Sequence, residues 1–240
     1  LGKTTVNDIG ISVIVPCYNE AENIEPLVGE LAEVLKSLNK TFEIIYVDDG
    51  STDDSAARVL DLSKKLPELR LVKHQRNYGQ SAAFLSGFEE ARGEILITLD
   101  ADMQNDPHDI PQLLEELKSC DMVCGIRTKR RDTFIKRISS RIANKVRGFF
   151  LKDDIQDAGC SFRAFNRRIL INLIAFKGLH RFLPTICGIH GFRVRQVPVH
   201  HRPRYKGRTK YGISNRVFVG IHDLIGIRWY RKRFFPPGRY

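Results

Sequence analysis

Residues 94–104 read Glu94-Ile-Leu-Ile-Thr-Leu-Asp-Ala-Asp-Met-Gln104, a β-branched and leucine-rich run that stops at two acids one residue apart. Such a run, too short for a helix, predicts a buried strand over Glu94–Leu99 whose end carries Asp100 and Asp102. The pattern recurs upstream. Ile11–Val15 closes at Pro16 and leads into Cys17-Tyr-Asn-Glu20, and Phe42–Val47 leads into Asp48-Asp-Gly-Ser-Thr-Asp53. Leu69–His74 precedes Asn77-Tyr-Gly-Gln80. Between these runs lie helical periods: Glu20–Leu38 (Ile24, Leu27, Leu31, Leu35, Leu38), Ser51–Leu66 and Ser81–Ala91. Strands alternating with helices predict an α/β protein, a mostly parallel sheet with helices on both faces. Ligands of such sheets bind beyond the carboxyl ends of the strands, where the polar clusters fall.

The second half is less regular. Cys160–Phe165 and Phe192–His200 read as strands, a further strand ends at Gly125, and Thr133–Leu151 reads as a basic helix. His201–Tyr211 is a basic loop and Ile213–Trp229 an amphipathic stretch. No repeat or low-complexity linker divides the chain. One domain over 1–212 is expected, followed by a basic amphipathic segment over 213–240.

The 240 residues, 42% hydrophobic and 28% charged, suit a packed core and disfavour disorder. Five cysteines without paired spacing argue against a disulfide framework, and Cys120 with Cys124 lacks the second pair a zinc site needs. No apolar run approaches the roughly 18 residues of a membrane span. Leu1–Ile11 does not read as a signal peptide, because no apolar stretch follows its charge. The net charge of +11 is uneven: residues 1–120 hold 11 Lys and Arg against 22 Asp and Glu, and residues 121–240 hold 28 against 6. A basic half implies a polyanionic partner, nucleic acid or an anionic membrane surface.

Read alone, each acidic cluster has two explanations. Asp100 and Asp102 repel one another unless a divalent cation or a ligand donor lies between them, and Mg²⁺ or Mn²⁺ would leave positions for a diphosphate. They also suit a solvated turn capped by Asp106. Asp49 is either an acceptor for the imide N–H of a base or part of a helix cap with Gly50, Ser51 and Thr52. Asn77–Gln80 is a loop at a helix start, or a simple left-handed turn.

Together the motifs resemble the family 2 glycosyltransferases. Val15-Pro-Cys-Tyr-Asn-Glu20, Val47-Asp-Asp-Gly-Ser-Thr-Asp53, Arg76-Asn-Tyr-Gly-Gln80 and Thr98-Leu-Asp-Ala-Asp-Met-Gln-Asn105 stand in that family's order and spacing. Asp157-Ala-Gly-Cys-Ser-Phe-Arg-Ala-Phe165, Arg181-Phe-Leu-Pro184 and Val197-Pro-Val-His-His201, leading to Arg204-Tyr-Lys-Gly-Arg-Thr-Lys-Tyr211, narrow the likeness to the polyprenyl-phosphate type. Dolichol-phosphate mannose synthases and undecaprenyl-phosphate 4-deoxy-4-formamido-L-arabinose transferases are of that type, the latter more similar.

The resemblance implies a GT-A-type fold and a donor half (about 1–125) followed by an acceptor half (about 126–212). It implies that Pro16, Tyr18 and Glu20 line a nucleotide pocket, that Asp49 reads the base, and that Asp100 and Ala101 lie by the ribose and phosphates. It implies a metal on Asp102 and Gln104. Arg127, Arg204 and Lys210 would face phosphates, and Lys136 and Ser140 would contact the acceptor. Thr209 stands where the family usually has Ser, and many relatives continue into transmembrane helices where this sequence ends at Tyr240.

The implied reaction moves a sugar from a nucleotide-sugar, UDP-linked rather than GDP-linked, to a polyprenyl phosphate, with inversion. A phosphate monoester has its second pKa at about 6, so its oxygen is already nucleophilic at neutral pH. The harder task is bringing that dianion to a pyrophosphate, which calls for cations. Asp157 reads as a base, a positioner of those arginines, or a structural partner of Arg163. Thr128–Lys152 and Ile213–Phe235 interleave basic and apolar residues. The first suits the lipid interface; for the second, packing and contact with another copy or a small membrane partner compete. A peripheral protein on the cytoplasmic face of a membrane is expected. A transferase with a soluble acceptor would leave the Arg204–Tyr211 cations unused, and a nucleic-acid-binding module would leave the acidic motifs unexplained.

Overall fold

The computed structural model describes residues 9–127, 147–171, 173–203 and 214–235, with the backbone alone for 214–219. The strands are β1 (Ile11–Cys17), β2 (Phe42–Asp48), β3 (Leu69–Lys73), β4 (Ile95–Thr98), β5 (Met122–Arg127), β6 (Arg163–Asn166) and β7 (Val194–Val199). The helices are α1 (Ala21–Ser37), α2 (Ser55–Ser63), α3 (Gln80–Glu90), α4 (Ile110–Leu117), α5 (Leu179–Ile189) and α6 (Ser214–Arg233). Seven strands form one sheet in the order β3-β2-β1-β4-β6-β5-β7. All pairings are parallel except those of β6, which runs antiparallel between β4 and β5.

Strand order reverses beside β1: the chain winds outward to β2 and β3, then returns to place β4 on the other flank. In sheets of this kind ligands bind at such a switch point, here the carboxyl ends of β1 and β4. Both sheet faces are covered. Ile11, Val13, Val15, Ile44 and Tyr46 pack towards α1 and α2, while Ile14, Ile45 and Val47 pack towards α3. Gly87 permits the closest approach, because a Cβ there would lie 2.3 Å from Ile14 Cγ2.

Several boundaries differ from expectation. β1 runs through Pro16 to Cys17. The Ile14 carbonyl accepts from Leu99 N, so residue 16 faces the β4 side, where pairing has already stopped at Ile14↔Thr98. A missing N–H there breaks no ladder bond. The expected helix at Ser51 begins at Ser55: Ser51 is drawn to the neighbouring β1–α1 turn, where Asn19 N donates to its Oγ (2.9 Å), and Asp53 joins that turn to the helix start, accepting from Ala21 N at Oδ2 (3.2 Å) and from Ser55 N at Oδ1 (3.0 Å). The strand expected from Cys160 is confined to Arg163–Asn166. Asp106 does cap the turn Pro107–Asp109, accepting from His108 N.

Residues 147–151 are helical; the rest of the basic stretch expected to be helical, 133–146, lies outside the described residues. α6 packs on the domain through one face. Ile227 joins Leu151, Leu179, Phe182 and Ile186 in a small core, and Asp223 pairs with Arg181. Ile221, Ile225 and Trp229, spaced four apart, remain exposed on its other side. No helix among the described residues is long and apolar enough to cross a membrane.

Candidate functional site

Four turns meet at the switch point. After β1, Asn19 adopts a left-handed conformation (φ 53°) and its Oδ1 accepts from Thr52 N at 2.7 Å. Glu20 N donates to Ser55 Oγ at 3.0 Å. The β1–α1 turn is therefore stitched to the β2–α2 turn, and Pro16, Tyr18 and Glu20 stand partly exposed along the seam. Gly50 (φ 72°) is required here, because a Cβ would lie 2.3 Å from the Arg76 carbonyl carbon.

Asp49 lies at the floor of this region, 3% exposed. Its carboxylate accepts from Tyr78 N (2.9 Å) and Gly79 N (2.7 Å), and His74 Nδ1 lies 2.8 Å away. The residue thus anchors the β3–α3 loop. The Asn77–Gln80 turn is held by this carboxylate, with Gly79 at φ 95°.

Asp100 lies partly buried beyond β4. Gln80 Nε2 donates to its Oδ1 at 2.7 Å. Burial pushes its carboxyl above the usual range, partly offset by Ser161, Arg127, Arg163 and Gln80. Ala101 is buried beside it. Asp102, 8% exposed, accepts from Gln104 N at 3.1 Å, and Met103 between them takes a positive φ of 64°.

The end of β7 closes over this turn. Asn105 and His201 form a β-bridge, Arg202 N donates to Gln104 O at 2.9 Å, and Gln104 Nε2 lies 3.5 Å from His201 Nε2. Asp102, Gln104 and His201 therefore offer a carboxylate, an amide and an imidazole in one place, a donor set that suits Mg²⁺ or Mn²⁺. His201 ends the motif Val197-Pro-Val-His-His201, whose sequence alone assigns the imidazole no role. Its approach to Gln104, 97 residues away in sequence, depends on the Asn105–His201 bridge between the segments that follow β4 and β7. A second cluster, Glu30, Asp106 and His108, also has ligand-type spacing. Arg202 already bridges it, 2.7 Å from Glu30 and 2.6 Å from Asp106, which neutralises the carboxylates.

Arg127 ends β5 and meets Asp157 in a two-pronged pair: Nε to Oδ2 and Nη2 to Oδ1, both 2.8 Å. This pair raises the guanidinium pKa further, against the opposing effect of burial. Asp157 is partnered by Arg127 and not by Arg163, which instead donates to the carbonyls of His180 (2.5 Å) and Ala158 (3.1 Å). Arg163 nonetheless lies close enough to favour ionised Asp100. Lys136, Ser140, Arg204 and Lys210 lie outside the described residues.

A parallel sheet with an inserted antiparallel strand and a carboxylate turn at its switch point is the arrangement of a GT-A glycosyltransferase. The chain belongs to glycosyl transferase family 2, whose model matches residues 12–174. It is 35% identical over 98% of its length to dodecaprenyl-phosphate galacturonate synthase of Rhizobium johnstonii, covering 71% of that protein. Among solved structures it is similar to glucosyl-3-phosphoglycerate synthase of Mycobacterium tuberculosis in complex with Mn²⁺, UDP and glucosyl-3-phosphoglycerate. That match has a TM-score of 0.69 and 20% identity, over 96% of this chain and 82% of the other. A mannosyltransferase of Pyrobaculum calidifontis in complex with GDP-Man and Mn²⁺ aligns with a TM-score of 0.64 and 20% identity, over 97% and 67%. These structures share the fold; the family match makes the chain a glycosyltransferase.

Proposed function

We propose that this glycosyltransferase moves a sugar from a nucleoside-diphosphate donor, UDP in preference to GDP, to a polyprenyl phosphate at the cytoplasmic face of a membrane. The observation that carries the proposal is the convergence of Asp100, Asp102, Gln104 and His201 with the Arg127–Asp157 pair at the carboxyl ends of β4, β5 and β7. An acidic turn beside a fixed cation suits a site that takes two phosphorylated substrates. The relative from Rhizobium johnstonii, by its name, uses a polyprenyl phosphate.

In this reading residues 1–212 form the catalytic domain, with the donor half to about 125, and 213–240 form an attached basic segment. Pro16, Tyr18, Glu20 and Asp49 build the base pocket, and Asp100 and Ala101 border the ribose and phosphates. Asp102 and Gln104, with His201 beside them, would hold Mg²⁺ or Mn²⁺, and such an ion would supply positive charge for a diphosphate. Arg127, Arg204 and Lys210 receive the phosphates, and Lys136 and Ser140 border the acceptor. The acceptor phosphate oxygen forms a bond to the anomeric carbon as the bond from that carbon to the donor's β-phosphate oxygen breaks, which inverts the centre. Asp157, tied to Arg127, acts as a positioner and not as the base.

The test is transfer from a panel of UDP- and GDP-sugars, UDP-galacturonic acid included, to undecaprenyl phosphate in detergent, with Mn²⁺, Mg²⁺ or excess EDTA. Transfer that depends on metal, falls to background in Asp102→Asn and is faster with UDP donors supports the proposal. Full activity in EDTA, or a preference for neutral soluble acceptors, would overturn it.

A further inference from the structure

Two of the carboxyl-end loops and helix α3 meet at one imidazole. His74 follows β3, and its backbone N–H donates to the Asp48 carbonyl at 2.9 Å, which fixes the residue against β2. Ring Nδ1 lies 2.8 Å from Asp49 Oδ1, and Nε2 lies 2.9 Å from Ser86 Oγ on α3. A carboxylate only accepts, so Nδ1 carries a proton. Nε2 then accepts from the Ser86 hydroxyl when the ring is neutral, or donates to it when charged. The ring also meets Tyr78 edge-on at 5.6 Å, and the Arg76 guanidinium lies 5.1 Å from the Tyr78 ring centroid.

The contacts continue towards the donor turn. Asp49 receives Tyr78 N and Gly79 N, the next residue is Gln80, and Gln80 donates to Asp100 at 2.7 Å. Gly79 is the N-cap of α3 with φ 95° and, as a glycine, has no side chain of its own to cap the helix. The Asp49 carboxylate, bonded to both Tyr78 N and Gly79 N, restrains this loop. The Ser86–His74–Asp49 array has the spacing of a hydrolytic triad, but Ser86 sits inside α3, where backbone N–H groups are committed to the helix and none is left to stabilise an oxyanion.

We infer that His74 is a positioning residue for the nucleotide donor: by orienting Asp49 it fixes Tyr78 and Gly79 and, through them, holds Gln80 against Asp100. The inference rests on the donor reading above. Losing the Nδ1–H leaves a buried carboxylate with two of its three donors and free to turn, and the loop that it restrains loosens with it.

Two replacements separate this from simple space filling. The side-chain amide of Asn reaches about where Nδ1 stands, and that of Gln about where Nε2 stands. Donor KM and kcat, UDP affinity with Mn²⁺ by calorimetry, and thermal stability are measured for the wild type, His74→Ala, His74→Asn and His74→Gln. His74→Ala should raise donor KM about tenfold, the cost of one charge-assisted hydrogen bond, while kcat changes by less than about threefold. His74→Asn should recover most of the loss and His74→Gln should not. An unchanged donor KM in His74→Ala, or equal rescue by Gln, overturns the inference. Amide exchange of Tyr78 and Gly79 by NMR provides a readout independent of nucleotide. If the wild type binds neither UDP nor GDP, the donor reading falls; faster exchange in His74→Ala would then still support His74 as the restraint on this loop, and unchanged exchange would refute it.

Discussion

Asp157→Asn, alone and in an Arg127→Ala background, tests how the cation at the end of β5 is used. Asp157 is almost fully buried, Arg127 is about one-fifth exposed, and two hydrogen bonds of 2.8 Å join them. Hydrogen bonds to charged groups contribute about 1.5–3 kcal/mol each. Asn can keep one of the two, and the partial exposure of Arg127 lowers the value further. A loss of about 2 kcal/mol in orienting Arg127 corresponds to a rate reduction on the order of thirtyfold. If Asp157 acts only through Arg127, the reduction vanishes once the guanidinium is gone, and the two substitutions together are no worse than Arg127→Ala. The assay is steady-state transfer to undecaprenyl phosphate for all four proteins, with circular dichroism melts to confirm folding. A further loss of tenfold or more on adding Asp157→Asn to Arg127→Ala would refute the positioning role and make Asp157 a base.

Three other outcomes are expected. Glu43 is buried at the opposite end of the sheet and accepts from Ser12 Oγ, Arg92 N and Arg70 at 2.6–2.7 Å, so Glu43→Ala should cost about 3–5 kcal/mol in urea unfolding while leaving UDP affinity unchanged in the folded protein. Asp100 carries a raised pKa, so the folded protein binds its proton more tightly than the unfolded chain, and stability fully present below the ordinary carboxylate range is lost as pH rises through the folded pKa. Asp100→Asn should therefore melt higher than wild type at pH 8, with the gain shrinking towards pH 4, and should be inactive; a pH-independent difference in melting temperature would contradict this. Phe149 and Trp229 are 83% and 63% exposed, beside Phe150, over which Arg228 stacks at 5.0 Å; Phe149→Ala and Trp229→Ala should each weaken sedimentation with anionic liposomes on the order of tenfold, and undiminished binding of the double variant would exclude this surface from membrane contact.

Much of this molecule was legible from the chain alone. β-branched runs of five to seven residues alternate with periods of 3.6, and that alternation is enough to specify a parallel sheet and to put Asp49, Asp100 and Asp102 at its carboxyl edge, because side-chain periodicity is a local property. The family, too, was readable, since order and spacing of motifs survive in one dimension. Other features exist only once the chain has folded. Antiparallel β6 enters between β4 and β5, a choice made by sheet pairing that four residues of sequence do not encode. Arg127 and Asp157 are 30 residues apart, and composition could not choose between Arg127 and Arg163 as the partner. That Asp49 holds the loop at Tyr78 and Gly79 shows only in the fold, because the ends of β2 and β3 lie side by side in the sheet. His74 and His201 were passed over for the same reason: an imidazole takes its role from the groups that reach its two nitrogens, and those come from residues 12 to 97 positions away.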